Sequence, residues 1–200
     1  MMEWPLFRAS LTPTSTAPGA GDGTKPSLTV RPHTDISLAL STPTGLYTPT
    51  LPRVDELPIY ALASQIAHLA YLGRQVPCRL TVNEMPKRGG TISVSNIGAV
   101  GRGEDAVPVL VQEGGVAIVA LGRARWVWDV EAGGEGDVRY YFGGGKEGRG
   151  GKRGRGEERL KMSVSWSADH RVVEGAELAA FVESWRKWVE IPERLIAQGR

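Results

Sequence analysis

His170 stands with an acid on either side in the stretch Ser165-Trp166-Ser167-Ala168-Asp169-His170-Arg171-Val172-Val173-Glu174-Gly175. Leu160, Met162, Val164 and Trp166 alternate just before it, which is the pattern of a strand, and an amphipathic run follows. A rigid strand end can hold an imidazole in one orientation, and imidazole exchanges a proton near neutral pH, so the placement suits general-base chemistry. The competing reading is a structural Asp-His-Arg turn.

Three chemistries are open to residues of these types. A serine-hydrolase triad needs a nucleophile elbow such as G-x-S-x-G, and neither Ser95 nor Ser167 has that context. A metal centre needs clustered ligands. His33, His68 and His170 are scattered and Cys78 is the sole cysteine, so no metal site is expected. General-base catalysis by one histidine, with a hydroxyl donor elsewhere, needs only His170 and Ser95. The Gly-rich stretch after Asn96 would cradle phosphate only with a helix directly behind it, and Asp105-Ala106-Val107-Pro108 does not have a helical pattern.

The elements that must position these groups follow from periodicity. Trp4 to Leu11 is a short apolar stretch read as the remnant of a helix, and residues 12–27, rich in Pro, Gly, Thr and Ser, are expected to be a mobile loop. Leu28 to Arg31 alternates, and Ile36, Leu38 and Leu40 share one strand face before a turn at Thr42 to Gly45 and a hairpin partner from Leu46. Asp55 is expected to cap a helix with Pro58 in its first turn. Ile59, Leu62, Ile66 and Leu69 form its apolar stripe, His68 lies on its surface, and Gly73 stops it. Gly89-Gly90-Thr91 opens the strand that carries Ser95. Val109 to Val111 and Val116 to Leu121 read as central strands. Trp126 to Trp128 begins a strand expected to pair with Val138 to Phe142. Leu178, Phe181, Val182, Trp185, Trp188 and Val189 form the stripe of a last helix, which Pro192 breaks.

Residues 143–158 are a Gly/Arg-rich run that cannot bury enough apolar surface to offset its ordering entropy, so a disordered insert is expected. Charge is nearly balanced, at 24 basic and 22 acidic residues. The basic pI of 8.8 reflects that insert rather than a basic surface, which argues against nucleic acid as the main partner. An RNA-touching Arg-Gly segment is the alternative, and an expanded hairpin loop is the simpler one. No apolar run approaches the roughly 18–20 residues of a membrane span. Met1-Met2-Glu3-Trp4-Pro5 reads as neither a signal peptide nor an Arg-rich transit peptide.

Gly90-Thr91-Ile92-Ser93-Val94-Ser95-Asn96-Ile97-Gly98 and Ser165 through Gly175 together resemble the two signatures of the 2-oxoacid dehydrogenase acyltransferase catalytic domain. Ile36 through Thr48 and Val116 through Gly122 fit the same family, and the tryptophan before Ser167-Ala168-Asp169-His170-Arg171 is most similar to its branched-chain member. The resemblance implies an α/β fold, a two-layer chloramphenicol acetyltransferase-like sandwich. Its mixed sheet has helices packed on one face, and it is N-terminally truncated, with residues 1–200 forming one incomplete catalytic domain.

It also implies site roles. His170 removes the thiol proton of coenzyme A, or of dihydrolipoamide in reverse, and Ser95 hydrogen-bonds the tetrahedral oxyanion. Glu174, where the family usually has Asp, helps order the histidine loop. Ser95, Asn96, Gly122 and Ala124 fall at coenzyme A-contact positions, while Ser41 and Ala70 occupy two others where the family has different side chains. The implied assembly is a homotrimer or larger core with the histidine from one chain and the serine from its neighbour. Decarboxylase and dihydrolipoyl dehydrogenase components are the implied partners, and the mitochondrial matrix is the implied location. No Asp-Lys-Ala lipoylation hairpin is visible, so the lipoyl group is expected on another domain or chain. A second expectation is a non-catalytic structural or interaction relative that keeps the motif.

Overall fold

Ile36, Leu38 and Leu40 alternate with small residues, and that period-two pattern builds the first long strand of a mixed sheet. The computed structural model describes residues 1, 3–12, 27–100, 105–110, 115–129, 156–191 and 193. In chain order, a 3-10 turn at Pro5–Arg8 precedes β1 (Ala9–Thr12), β2 (Ser27–Val30), β3 (Ile36–Thr42), β4 (Gly45–Tyr47), β5 (Thr50–Leu51) and α1 (Ile59–Arg74). Next come β6 (Ile92–Asn96), β7 (Ala117–Leu121), β8 (Arg125–Asp129), β9 (Glu157–Lys161), β10 (Val164–Ala168) and α2 (Gly175–Val189).

The main sheet runs β10-β7-β6-β3-β4, with β5 also on β3. β3, β6 and β7 are parallel, and β10, β4 and β5 pair antiparallel. Two registers sort the side chains. Ile36, Ile92, Ala117 and Ala168 form one row, and Leu38, Val94, Val119 and Trp166 form another that faces the same way. The intervening rows, Ser37-Ser93-Ile118-Ser167 and Ala39-Ser95-Ala120-Ser165, face the opposite side.

Both helices cover the first face, as expected for the two-layer sandwich. α2 inserts Phe181 among Phe7, Ile92 and Ala117, with Trp166 and Ala168 beside them. Phe181 stacks on Phe7 with ring centroids 3.9 Å apart and meets Trp166 edge-on at 5.3 Å. Such aromatic pairs contribute about 0.5–1.5 kcal/mol beyond their area burial. α1 packs through Leu69 and Leu72 against Leu38 and Leu40. β7 is buried on both faces, in line with its dense apolar sequence.

The structure corrects several local expectations. α1 buries Leu69 and Gly73, while Ile59 and Ile66 are 43% and 45% exposed. The helix is apolar around much of its circumference, and only the side facing β3 is covered. Gly73 does not stop it, because α1 continues to Arg74. A Cβ at Gly73 would lie 2.5 Å from Leu40 Cδ2, so the glycine permits close helix–sheet approach. Asp55 does not cap α1. Val54–Glu56 form a separate 3-10 turn, Pro58 is the N-cap, and the Asp55 carboxylate accepts the Thr34 N–H at 2.7 Å.

Val109 lies in irregular chain, with Val107 and Val109 both exposed; Pro108 between them has no N–H for a strand ladder. Val111 lies outside the described residues. Trp4 to Leu11 supplies the 3-10 turn and β1 rather than a longer helix. The run from Leu160 to Trp166 divides into β9, paired with β8, and β10, paired with β7. Most of the loop at 12–27, the Val138 to Phe142 strand and residues 143–155 of the insert lie outside the described residues, as does Pro192. Glu157 and Glu158, placed in that insert by sequence, belong to β9.

Candidate active site

Ser95 is the fourth residue of β6 and lies on the helix-free face, where its register partners are Ala39 and Ala120. These small neighbours leave its hydroxyl beside a cavity of about 250 Å³. The next residue, Asn96, ends the strand by accepting the Ala99 N–H through Oδ1 at 3.1 Å, which caps the turn Ile97–Ala99. That turn abuts the chain leaving β7, because a Cβ at Gly98 would stand 2.5 Å from the Gly122 carbonyl oxygen and 2.6 Å from the Arg123 nitrogen. Ser95, Asn96, Gly122 and Ala124 therefore gather at the carboxyl ends of parallel β6 and β7, the end of an α/β sheet that commonly receives ligands. The Gly122 N–H is already donated to the Ser163 carbonyl.

His170 sits at the other end of the sheet. β10 runs antiparallel to β7, and its last residue, Ala168, pairs with Ala117, the first residue of β7. The Asp169 N–H extends that edge by donating to the Val116 carbonyl. The chain then turns through His170, and the N–H groups of Val172 and Val173 both reach the Asp169 carbonyl. Buried Val173 pins the turn to the core below α2.

The acid before His170 serves its other neighbour. Asp169 receives the Arg171 guanidinium at 2.6 Å and 2.9 Å and the Arg171 backbone N–H at 3.0 Å. Arg171 thereby holds the Asp169 carboxyl below the usual carboxylate range. Glu174 is the N-cap of α2 and exposed, and its side chain caps nothing. His170 is exposed, and among the described residues its ring accepts and donates no hydrogen bond. The turn thus gathers Asp169, His170, Arg171 and Glu174 without seating the imidazole against either acid.

Ser95 and His170 do not meet within one chain. Ser95, Ala120 and Ser165 share a row, and His170 lies five residues beyond Ser165. At roughly 3.3 Å per residue and 4.8 Å per strand, the end of β10 at Ala168 stands about 10 Å along the strands and about 10 Å across them from Ser95, and His170 follows in the turn beyond it.

Other groupings were not visible in the sequence. His33 Nδ1 lies 3.4 Å from Asp55 Oδ2 and 3.2 Å from Glu56 Oε1, which brings three potential ligand atoms together. Their existing partners account for the cluster, since Asp55 holds Thr34 and Glu56 pairs with Arg53 at 2.6 Å. The alanines beside Ser95 were also missed, because only strand pairing reveals them.

Comparison with known proteins fits this layout. The family model described as 2-oxoacid dehydrogenases acyltransferase (catalytic domain) matches residues 2–197. The chain belongs to that family. This acyltransferase domain is 33% identical over 167 residues to the lipoamide acyltransferase component of the branched-chain alpha-keto acid dehydrogenase complex of Arabidopsis thaliana, covering 83% of the chain and 29% of the relative. It is 28% identical over 192 residues to the corresponding component of Mus musculus, covering 96% of the chain and 32% of the relative. The domain spans about a third of the length of these curated relatives.

Among solved structures, the cubic core of the pyruvate dehydrogenase multienzyme complex superposes with a TM-score of 0.68 at 26% identity, covering 97% of this chain and 65% of that one. The dihydrolipoamide acetyltransferase of Azotobacter vinelandii, studied for the catalytic roles of a serine, a histidine and an asparagine, superposes with a TM-score of 0.69 at 24% identity, covering 97% of this chain and 65% of that one. These superpositions bear out the expected chloramphenicol acetyltransferase-like sandwich.

Proposed function

We propose that this acyltransferase domain moves an acyl group between dihydrolipoamide and coenzyme A in a 2-oxoacid dehydrogenase complex, of the branched-chain kind, with its active site shared between copies of the chain. One observation carries the reading: Ser95 and His170 occupy opposite ends of one sheet, so the pair is completed only by a second chain. Family membership and the mitochondrial branched-chain relatives support the reaction class, the complex and a mitochondrial location. The decarboxylase and dihydrolipoyl dehydrogenase components of such a complex are the partners, and the lipoyl arm is a substrate carried on another domain or chain.

In the forward step, a ring nitrogen of His170 takes the thiol proton of coenzyme A. The thiolate attacks the carbonyl carbon of the acyl thioester, and the carbonyl oxygen becomes an oxyanion. The Ser95 hydroxyl from the neighbouring copy donates to that oxygen. Collapse breaks the bond to the lipoyl sulfur, which recovers the proton from the His170 imidazolium. Ser95, Asn96 and the backbone at Gly122 and Ala124 border the coenzyme A thiol arm, whereas Glu174, exposed and capping nothing, takes no part in ordering the histidine turn. The Gly122 N–H, already bonded to Ser163, steadies that border instead of binding substrate.

Size-fractionated protein tests the proposal. Transfer from acyl-coenzyme A to free dihydrolipoamide is expected in the assembled fraction and not in monomer. A monomer that turns over at the assembled rate refutes the shared site. The absence of both turnover and thermal stabilisation by millimolar coenzyme A favours the non-catalytic relative, a reading supported by the imidazole that neither acid contacts.

A further inference from the structure

The outer side of α1 lacks the charge that a solvated helix face carries. From Ile59 to Arg74 there is no acidic residue, and Arg74 is the sole arginine or lysine. Leu69 is buried against the sheet, and the line centred opposite it is Tyr60, Ser64, Ala67 and Tyr71. All four are exposed, Tyr60 at 83% and Tyr71 at 57%, and Ala63 is exposed beside them. A surface helix ordinarily turns charged and polar residues to water. This one shows two aromatic rings with small residues between them, an apolar patch of the kind that marks a contact.

Spacing selects the partner. The four residues recur at 4-3-4, which keeps one line of a helix against another. Ser64 and Ala67 each stand four residues in from the tyrosines. Two copies of α1 laid antiparallel about a two-fold axis therefore match themselves. Tyr60 of one copy meets Tyr71 of the other at both ends, and Ser64 meets Ala67 on each side of the centre. The small central side chains let the helices approach closely. The Ser64 hydroxyl is no obstacle there, because it already donates to the Tyr60 carbonyl at 2.9 Å. The rings close over the ends with their hydroxyls reaching water. Antiparallel packing also sets the positive end of each helix dipole beside the negative end of the other.

Charge fits the same register. Arg74 is exposed in the last turn and pairs with no acid among the described residues. In the antiparallel pair it comes within about one residue, roughly 1.5 Å of rise, of level with Glu56 of the second copy. The turn before α1 sets Asp55 and Glu56 against Arg53, so the approaching guanidinium meets a net negative end.

We propose that the outer face of α1 is a two-fold docking surface between copies of this chain. The contact is separate from the pairing that the proposed active site needs, since α1 carries neither Ser95 nor His170. A helix of 16 residues is about 24 Å long, too short to supply a standard interface alone. Association through it is therefore weak and concentration-dependent.

The test uses the full chain and needs no turnover. In a Cys78→Ser background, Ser64→Cys and Ala67→Cys proteins are mixed and oxidised, and the cross-linked peptides are located by mass spectrometry. Links between position 64 of one copy and position 67 of another are expected to exceed either self-link several-fold, because a disulfide needs Cβ atoms within about 4.5 Å. In parallel, sedimentation velocity compares wild type with Ala67→Glu over a range of concentrations. That substitution sets a carboxylate on each side of the axis and is expected to weaken association about tenfold or more at unchanged circular dichroism.

Equal mixed and self cross-linking overturns the two-fold contact, as does an Ala67→Glu protein that associates like wild type. A wild type that gives no mixed cross-link but binds a synthetic amphipathic helix with leucine at 4-3-4 spacing overturns the second copy as occupant and assigns the face to a foreign helix.

Discussion

Ser95 shares a row of the sheet with Ala120 and Ser165, whereas His170 projects from the turn beyond Ala168, at the opposite end of the same strands. In the proposed transfer the base must reach the attacking thiol while the oxyanion donor holds the carbonyl that this thiol attacks, a few ångströms apart, so the proposal needs a second copy of the sheet. The consequence can be tested with two crippled proteins. His170→Ala is expected to lower turnover by about 10²–10⁴-fold, and Ser95→Ala by about 10²–10³-fold, each with unchanged circular dichroism. Co-assembled in equal amounts, the two variants are expected to recover about a quarter of wild-type activity, because a random pair of neighbours supplies both groups that often. A site contained within one chain recovers none.

The contact between Gly98 and Gly122 is backbone against backbone, so it cannot relax by rotating a side chain. Gly98→Ala is expected to push the Ile97–Ala99 turn away from the residues after β7 and to disturb the border formed by Asn96, Gly122 and Ala124. KM for coenzyme A should rise about tenfold with a smaller change in kcat, the pattern of lost binding. Steady-state kinetics with coenzyme A varied at saturating acyl-dihydrolipoamide measure this. An unchanged KM in a folded variant removes those residues from the coenzyme A border.

Much of this layout was readable in advance, and the failures share a cause. Alternation in Ile36 to Leu40 and Val116 to Leu121 located β3 and β7, and the stripe through Leu178, Phe181 and Trp185 located α2, because each segment has one apolar direction or is wholly buried. α1 is legible as a helix but its buried side is not, since Ile59 and Ile66 are as apolar as Leu69 and Leu72 and only the sheet chooses between them. Asp55 looked like a cap because sequence shows its neighbours along the chain and not Thr34, which claims its carboxylate across a fold. The same limit hid the alanines flanking Ser95 and the separation of Ser95 from His170. Both depend on strand order β10-β7-β6-β3, which periodicity does not encode.

Phe181 ties the N-terminal segment to the layer beneath the histidine turn. It is 4% exposed, stacks on Phe7 and meets Trp4 and Trp166 edge-on. Phe181→Ala is expected to cost about 3–5 kcal/mol of unfolding free energy, the range for deleting a buried aromatic. That is a large share of the ~5–15 kcal/mol of an ordinary domain. Urea titration of wild type and variant measures it. A loss below about 1 kcal/mol would mean that the aromatic cluster is not a core.

Arg171 fixes the charge state of Asp169, and this makes the histidine turn sensitive to acid. The paired guanidinium lowers the Asp169 pKa in the folded protein. For a carboxyl whose folded pKa is depressed, the stabilisation is fully present above the unfolded pKa of about 4 and is lost as pH falls through the lower folded value. Arg171→Ala is therefore expected to lower the melting temperature at neutral pH, with the deficit shrinking as pH falls through the depressed folded value and wild-type Asp169 becomes protonated too. The deficit should stay within a few degrees, because the Arg171 side chain is largely exposed and solvent screens the pair. It should narrow further in molar salt. The informative measurement is the difference in melting temperature between the two proteins at a series of pH values from neutral to about 2.5. A deficit that widens on acidification reverses the sign and would show that Asp169 is protonated more readily in the folded turn than in the open chain. A constant deficit would assign the loss to the packing of the arginine stem over the turn, with no linkage to the carboxylate.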